Sequence, residues 1–231
     1  MKKPLSILII CFLSLFCYNE AFATSFMAGG FRLNKKVKSM KEIKSENVIH
    51  QSLDFSCGAA GLSTVMNFYL NDPISEKEII NSLLQIVDLA KVKARKGFSL
   101  LDLKKFAESK GYKATGYKMD MEFLKELNKP VLVPIKFKNY RHFVIVRGIV
   151  GDRVFIADPA AGKMVMKDVR FENIWLNGIG LVVEREGYDE GEYALKVKEE
   201  EALFADYKHV ARSLPGTAIR TAVFPDEFVN R

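Results

Sequence analysis

Cysteine, histidine and tryptophan are scarce in this chain: three Cys, three His and one Trp in 231 residues. Cys11 and Cys17 fall within an apolar N-terminal run, so Cys57 stands alone in everything that follows. A lone thiol makes no internal disulfide, and one in an exported chain needs another reason to exist. His50, His142 and His209 are scattered and give no metal-ligand spacing with that cysteine, so no metal is expected. Ala28-Gly29-Gly30 is not followed by Lys-Ser or Lys-Thr, so no phosphate-cradling loop and no nucleotide cofactor are expected. Beyond the first 23 residues no apolar run approaches the roughly 20 residues a membrane helix needs.

The N-terminus itself reads as a leader. Lys2 and Lys3 precede the apolar run Leu5 to Tyr18, and Ala21-Phe22-Ala23 supplies a small-x-small cleavage signature. Residues 1–23 are therefore expected to be a signal peptide cut after Ala23, which places the mature chain in the periplasm or outside the cell. An uncleaved anchor is the alternative. Phe16 is too bulky to precede a lipidated Cys17. The formal charge of +7 suits acidic surfaces such as anionic lipid or cell-wall polymer, or a merely soluble basic surface. Nucleic acid is not an expected partner of an exported protein.

Residues 24–45 are polar and basic and read as a linker with room for one short element. Helical signals then follow. Cys57 to Leu70 carries small or apolar residues at Ala60, Gly61, Thr64, Val65, Phe68 and Tyr69. Ser75-Glu76-Lys77-Glu78 is a capping box, Ser99 caps Leu100 to Lys110 before Gly111, and Asp120 caps a short helix that ends before Pro130. After Pro130 the pattern becomes strand-like: Val131 to Phe137, His142 to Ile149, Arg153 to Ala157, Lys163 to Met166 and Ile179 to Val183. Gly151-Asp152 marks a hairpin. Helices followed by an antiparallel meander define an α+β domain over 46–185. The charged remainder, 186–231, reads as a helix near Glu201 to Ser213 and a tail.

Four residues carry possible chemistry. Cys57 opens a helix, where unpaired N–H groups and the positive dipole end favour a thiolate, and Gly58 beside it would admit a substrate backbone. His142 begins a strand and is a better proton acceptor for the thiol than His50 in a linker or His209 in a charged helix. Asp158 ends the next strand, where antiparallel pairing can set it beside His142. Gln51 lies six residues before Cys57, and its amide with the Cys57 N–H could hold an oxyanion. Each also has a plain structural use, as a packed thiol, a core histidine, an Asp-Pro turn and a linker glutamine.

Taken together, Gln51, Cys57-Gly58-Ala59-Ala60, His142-Phe143-Val144 and Asp158-Pro159 resemble the bacterial double-glycine, or bacteriocin-leader, peptidases of the papain-like clan. The resemblance spans about residues 46 to 185; Ser56 stands where many members have Asp. It implies a papain-like fold with N-terminal helices on an antiparallel sheet, with Cys57 as nucleophile, His142 as base then acid, Asp158 as its orienter and Gln51 in the oxyanion hole. It implies a peptide or protein substrate, no cofactor, and a stand-alone secreted subgroup, some of which accompany export or functional-amyloid secretion systems. Cleavage after Gly-Gly is an analogy from that family. The rival readings are a papain-like cell-wall amidase or acyltransferase, and a peptide-binding module with an idle site.

If the leader is removed as expected, the intact mass of the exported protein begins at Thr24 and one thiol titrates. Retention of Met1, or three titratable thiols, would overturn this.

Overall fold

The computed structural model describes residues 23–28, 31–36, 38–137, 140–187, 191–203 and 205. The expected leader up to Phe22 and most of the expected C-terminal helix lie outside them. The chain divides into two compact units, residues 1–43 and 44–231. In the first, β1 (Ala23–Ala28) and β2 (Phe31–Lys36) pair antiparallel where a linker was expected. Helix α1 (Met40–Ser45) follows.

The second unit begins with helices. These are α2 (Cys57–Phe68), α3 (Glu76–Ile86), α4 (Leu89–Arg95) and α5 (Leu100–Ser109). Strand β3 (Lys113–Lys118) and helix α6 (Met121–Glu126) lead into β4 (Val131–Phe137), β5 (Tyr140–Val150), β6 (Arg153–Asp158) and β7 (Gly162–Lys167). Helix α7 (Asp168–Ile174) and β8 (Ile179–Glu184) complete the order. The helix starts obey their capping chemistry. The Ser75 hydroxyl accepts from the Glu78 N–H, and Ser99 and Asp102 form a reciprocal capping box. Asp120 caps α6, and Gly111 takes the left-handed φ of 85° expected of it.

Strands β3 to β8 form one antiparallel sheet in the order β3-β8-β4-β5-β6-β7. The period of two sorts their side chains between two cores. Leu132, Ile145, Ala157, Leu181 and Val183 meet Leu62, Val65, Met66, Ile79, Leu83, Leu103 and Phe106 of α2, α3 and α5. Val131, Val133, Val144, Val146, Val154, Ile156 and Val182 meet Leu124, Phe171 and Trp175 on the opposite face. The expected layer of helices on a meander is present, and a thinner layer built from α6 and α7 covers the other side. Burial on both faces explains the near-continuous apolar runs of β4 to β6.

The segment after β8 also packs on this unit. Tyr193 meets Tyr69 edge-on at 4.8 Å, the Leu195 N–H donates to the Phe68 carbonyl at 3.2 Å, and Leu195 is fully buried. Arg147, on β5, donates to the carbonyls of Leu195 and Lys196 at 2.9 and 3.1 Å and to Glu201 at 2.7 Å. The Lys163 ammonium joins the same carboxylate at 3.2 Å. Arg147 is almost wholly buried, so its charge depends on these partners. Glu201→Ala should therefore destabilise the unit by about 2–3 kcal/mol, since a buried cation loses its counter-charge. Urea unfolding checks this, and an unchanged midpoint would show that the segment is not anchored there.

Candidate active site

Cys57 is the first residue of α2 and is buried. The residue before it, Ser56, occupies the N-cap position without capping the helix. Its hydroxyl instead donates to the Leu53 carbonyl at 2.8 Å and accepts the Leu53 N–H at 3.0 Å, closing the turn 53–56. The first-turn N–H groups of α2, that of Cys57 among them, are left for whatever enters the site. Gly58 has a packing role that the sequence reading did not include. A Cβ there would lie 2.9 Å from Leu103 and 3.2 Å from Phe143, so the glycine lets α2 approach α5 and β5.

The sheet supplies the other half. His142 is 4 % exposed near the start of β5, and Asp158 is the last residue of β6. Ile145 faces Ala157 in the register of the two strands, which draws the two polar residues together. His142 Nε2 donates to Asp158 Oδ1 at 2.7 Å. The same oxygen accepts the N–H groups of Ala160 at 2.7 Å and Ala161 at 3.3 Å. Cys57 acts on the same imidazole, its sulfur being among the groups that raise the His142 pKa. With Nε2 committed to Asp158, Nδ1 is the ring atom left to face the sulfur. Asp54, nearer in sequence to Cys57, borders the same cavity, but the imidazole is paired with Asp158.

Electrostatics follow from that arrangement. Burial alone would push His142 towards its neutral form, but the hydrogen bonds to Asp158 and Cys57 and their negative charges override it, raising its pKa to about 9. For Asp158 burial likewise opposes the charge, and the His142 bond, the His142 charge and the Ala160 and Ala161 N–H groups outweigh it, holding its carboxyl below the usual range.

Gln51 sits in a loop tied down on three sides. Its N–H donates to the Pro159 carbonyl at 2.9 Å, and the next N–H, of Ser52, reaches both oxygens of buried Glu76 at 3.0 and 3.2 Å. Its side-chain Nε2 donates to the Leu53 carbonyl at 3.0 Å. Exchanging the amide atoms would set oxygen against oxygen there, so the orientation follows from the network. One Nε2 hydrogen is thus used and the second remains. The amide oxygen Oε1 is buried without a donor among the described residues.

A cavity of about 510 Å³ opens over these groups, bordered by Gln51, Asp54, Phe55, Tyr140, His142 and Ala160. Tyr140 was not anticipated as part of it. It stands two residues before His142 on the same strand, so the strand period was the available signal; its ring meets the imidazole edge-on at 6.1 Å. Burial, then the charges of Asp158 and Cys57, raise its phenol above the ordinary value. Glu76 was read only as part of a capping box, and its role in holding Ser52 had no sequence signal. Among the described residues no group of three or more His, Cys, Asp or Glu side chains is placed to hold a metal ion.

A thiol at a helix start, paired with an imidazole from a facing antiparallel sheet, defines a cysteine peptidase of papain-like architecture. Residues 45–187 match the Peptidase C39 family, and the chain belongs to it. It is 35% identical over 165 residues to the probable functional amyloid protease FapD of Pseudomonas aeruginosa, covering 71% of this chain and 72% of that protein. The FapD of Pseudomonas fluorescens is 38% identical over 167 residues, 72% and 73% of the two chains. The crystal structure of the peptidase domain of Streptococcus ComA, a bifunctional ABC transporter, shares the fold. It has a TM-score of 0.52 at 22% identity and covers 60% of this chain and 98% of that domain. The substrate of a C39 peptidase is a peptide or protein. Among the described residues no helix is long and apolar enough to cross a membrane.

The raised pKa of His142 gives a pH signature. Its folded value of about 9 lies above the ordinary 6.5, so its contribution to stability is complete below about 6.5 and is lost as pH rises through 9. Asp158 has the opposite sign: its contribution is present above the ordinary carboxylate range and is lost as pH falls through its lowered value. The thermal midpoint should therefore fall between pH 7 and pH 10, and fall less in Asp158→Asn. Calorimetry across that range checks it, and equal alkaline loss in both proteins would contradict the assignment.

Proposed function

We propose that this peptidase uses Cys57 as its nucleophile, His142 as its proton carrier, Asp158 to orient His142, and Gln51 with the Cys57 N–H as its oxyanion hole. The observation that carries the reading is the 2.7 Å bond from His142 to Asp158, made by an imidazole whose pKa Cys57 also helps to raise. The sulfur attacks the scissile carbonyl, and the electron pair moves to its oxygen. The Cys57 N–H and the unused Nε2 hydrogen of Gln51 receive that negative charge. As the tetrahedral species collapses, His142 gives its Nδ1 proton to the leaving amine. It then takes a proton from water, which attacks the thioester and releases Cys57. Asp158 stays ionised and fixes the ring and its charge.

Cleavage after a Gly-Gly-type leader of a secreted polypeptide is the substrate reading we favour, supported by family membership and by the likeness to two FapD proteins described as probable functional amyloid proteases. A partner export or amyloid-secretion system fits the same reading. So does a place in the periplasm or outside the cell after removal of residues 1–23, with 24–45 as a basic N-terminal segment, 46–185 as the peptidase domain and 186–231 as a C-terminal extension.

Cys57→Ala should abolish turnover of a Gly-Gly peptide. Gln51→Ala should lower kcat by roughly 10² to 10³ with the fold intact, as loss of one oxyanion donor does. Asp158→Asn should impair catalysis more than Asp54→Asn. Steady-state kinetics, with circular dichroism as the folding control, decide each point. Full activity in Cys57→Ala would end the reading, and the reverse ranking of the two aspartates would remove Asp158 from its role.

A further inference from the structure

The cavity over His142 has a basic wall. Besides the residues that serve the reaction, Lys93 and Lys96 of α4 and its C-terminus border it. Three observations fix how they are presented. Arg95, between them in sequence, is turned to Asp102 at 3.0 Å, so its charge is spent on the α5 capping box. The Gly97 N–H donates to the Val92 carbonyl at 2.9 Å, and a Cβ on Gly97 would lie 3.2 Å from the Phe55 carbonyl, which sets the end of α4 against the loop leading to Cys57. Phe98, buried, meets Phe55 edge-on at 6.4 Å and locks that contact. Neither Lys93 nor Lys96 has an ion-pair partner within 4 Å among the described residues, Asp54 on the same cavity included.

Lys96 also stands in a conformation that does not suit it. It terminates α4 with φ 58°, the left-handed region in which helix ends place glycine or asparagine. The other non-glycine residues with positive φ among those described are Asn47, Asn71, Asn128 and Asn177. A lysine in a backbone conformation that favours glycine, on the cavity that His142 also borders, points to a use for its side chain.

We infer that Lys93 and Lys96 are specificity residues that bind an acidic side chain, Asp or Glu, of the peptide substrate close to the scissile bond. The inference rests on the peptidase reading and adds a substrate class to it. Two exposed ion pairs of ordinary strength give a preference of about 3- to 10-fold for an acidic over a neutral residue, and salt should erode it.

Two measurements test it. In the first, peptides containing Gly-Gly and bearing Glu, Gln or Lys at successive positions around the bond are assayed with wild type, Lys93→Gln, Lys96→Gly and the Lys93→Glu/Lys96→Glu double variant. Wild type should favour Glu at one position, mainly through KM. The charge-reversed enzyme should favour Lys there, and Lys96→Gly should lose preference without losing thermal stability. Cleavage with no acidic preference, or an unchanged preference in the reversed variant, overturns the inference while leaving the peptidase reading intact. In the second, Cys57 is alkylated with anionic iodoacetate and neutral iodoacetamide. The iodoacetate-to-iodoacetamide rate ratio should fall severalfold in the double variant, and an unchanged ratio counts against the basic wall. A Cys57 inert to both reagents in wild type overturns the peptidase reading, and this inference with it.

Discussion

His142 and Asp158 meet only because β5 and β6 pair antiparallel in one register, with Ile145 opposite Ala157. A slip of one residue would turn every side chain of one strand to the other face and part the two groups. The register is held from several sides at once. Val144 and Val146 must reach one core with Val154 and Ile156, while Ile145 and Ala157 must reach the other. Gly151, at φ 57°, turns the chain between the strands, and Gly162, at φ 78°, closes the next turn by pairing with Asp158 at the start of β7. At Gly162 any side chain would strike the Lys44 carbonyl, since a Cβ would lie 2.5 Å from it. The polar pair therefore inherits its precision from apolar packing on both sides of the sheet.

Cys57 arrives from a different layer, so the distance between α2 and the sheet matters as much as the register. Two glycines on α2 set it. A Cβ on Gly61 would come within 2.7 Å of Leu132, just as one on Gly58 would press on Leu103 and Phe143. Both let the helix that begins at Cys57 lie close to the strand that carries His142. Glycine costs helix stability relative to alanine, by about 0.5–1 kcal/mol per position, and close packing over a buried core offsets that. The unsatisfied donors of the helix start are the other product of this placement. Ser56 spends its hydroxyl on the loop, and the first turn keeps its N–H groups.

The sequence made most of this plain where a residue type had one physical use. The caps at Ser75, Ser99 and Asp120, the Gly151-Asp152 turn and the strands after Pro130 all follow from local chemistry, and they stand where that chemistry placed them. Other elements were hidden for physical reasons. Strand β3 is Lys-Ala-Thr-Gly-Tyr-Lys, an edge strand whose lysines and glycine disguise it and also discourage further pairing. Helix α7 starts from Lys167 with no side-chain cap, and α4 ends on a lysine instead of a glycine. Gln51, Cys57, His142 and Asp158 stood out in the sequence because they share an order and a context, and the structure brings His142 and Asp158 into a hydrogen bond. Tyr140, Glu76 and the two cavity lysines did not stand out, because their roles depend on contacts between segments distant in sequence.

Arg147 ties the core to residues past the matched family region, which ends at 187. It lies on β5 just where the β5–β6 register shifts, between Val146 and Gly148. An irregularity at that point would loosen the strand that carries His142, yet the arginine is buried and bonded to Leu195, Lys196 and Glu201. Val197 fills the space over Gly148, 3.2 Å from where a Cβ would sit. Lys163, next to the turn after Asp158, shares Glu201. The segment from 191 to 201 thus grips β5 beyond its bulge and the turn beyond Asp158 together. Those are the two strands whose alignment the His142–Asp158 pair requires, and a buried cation with one carboxylate partner is a contact that tolerates little slippage.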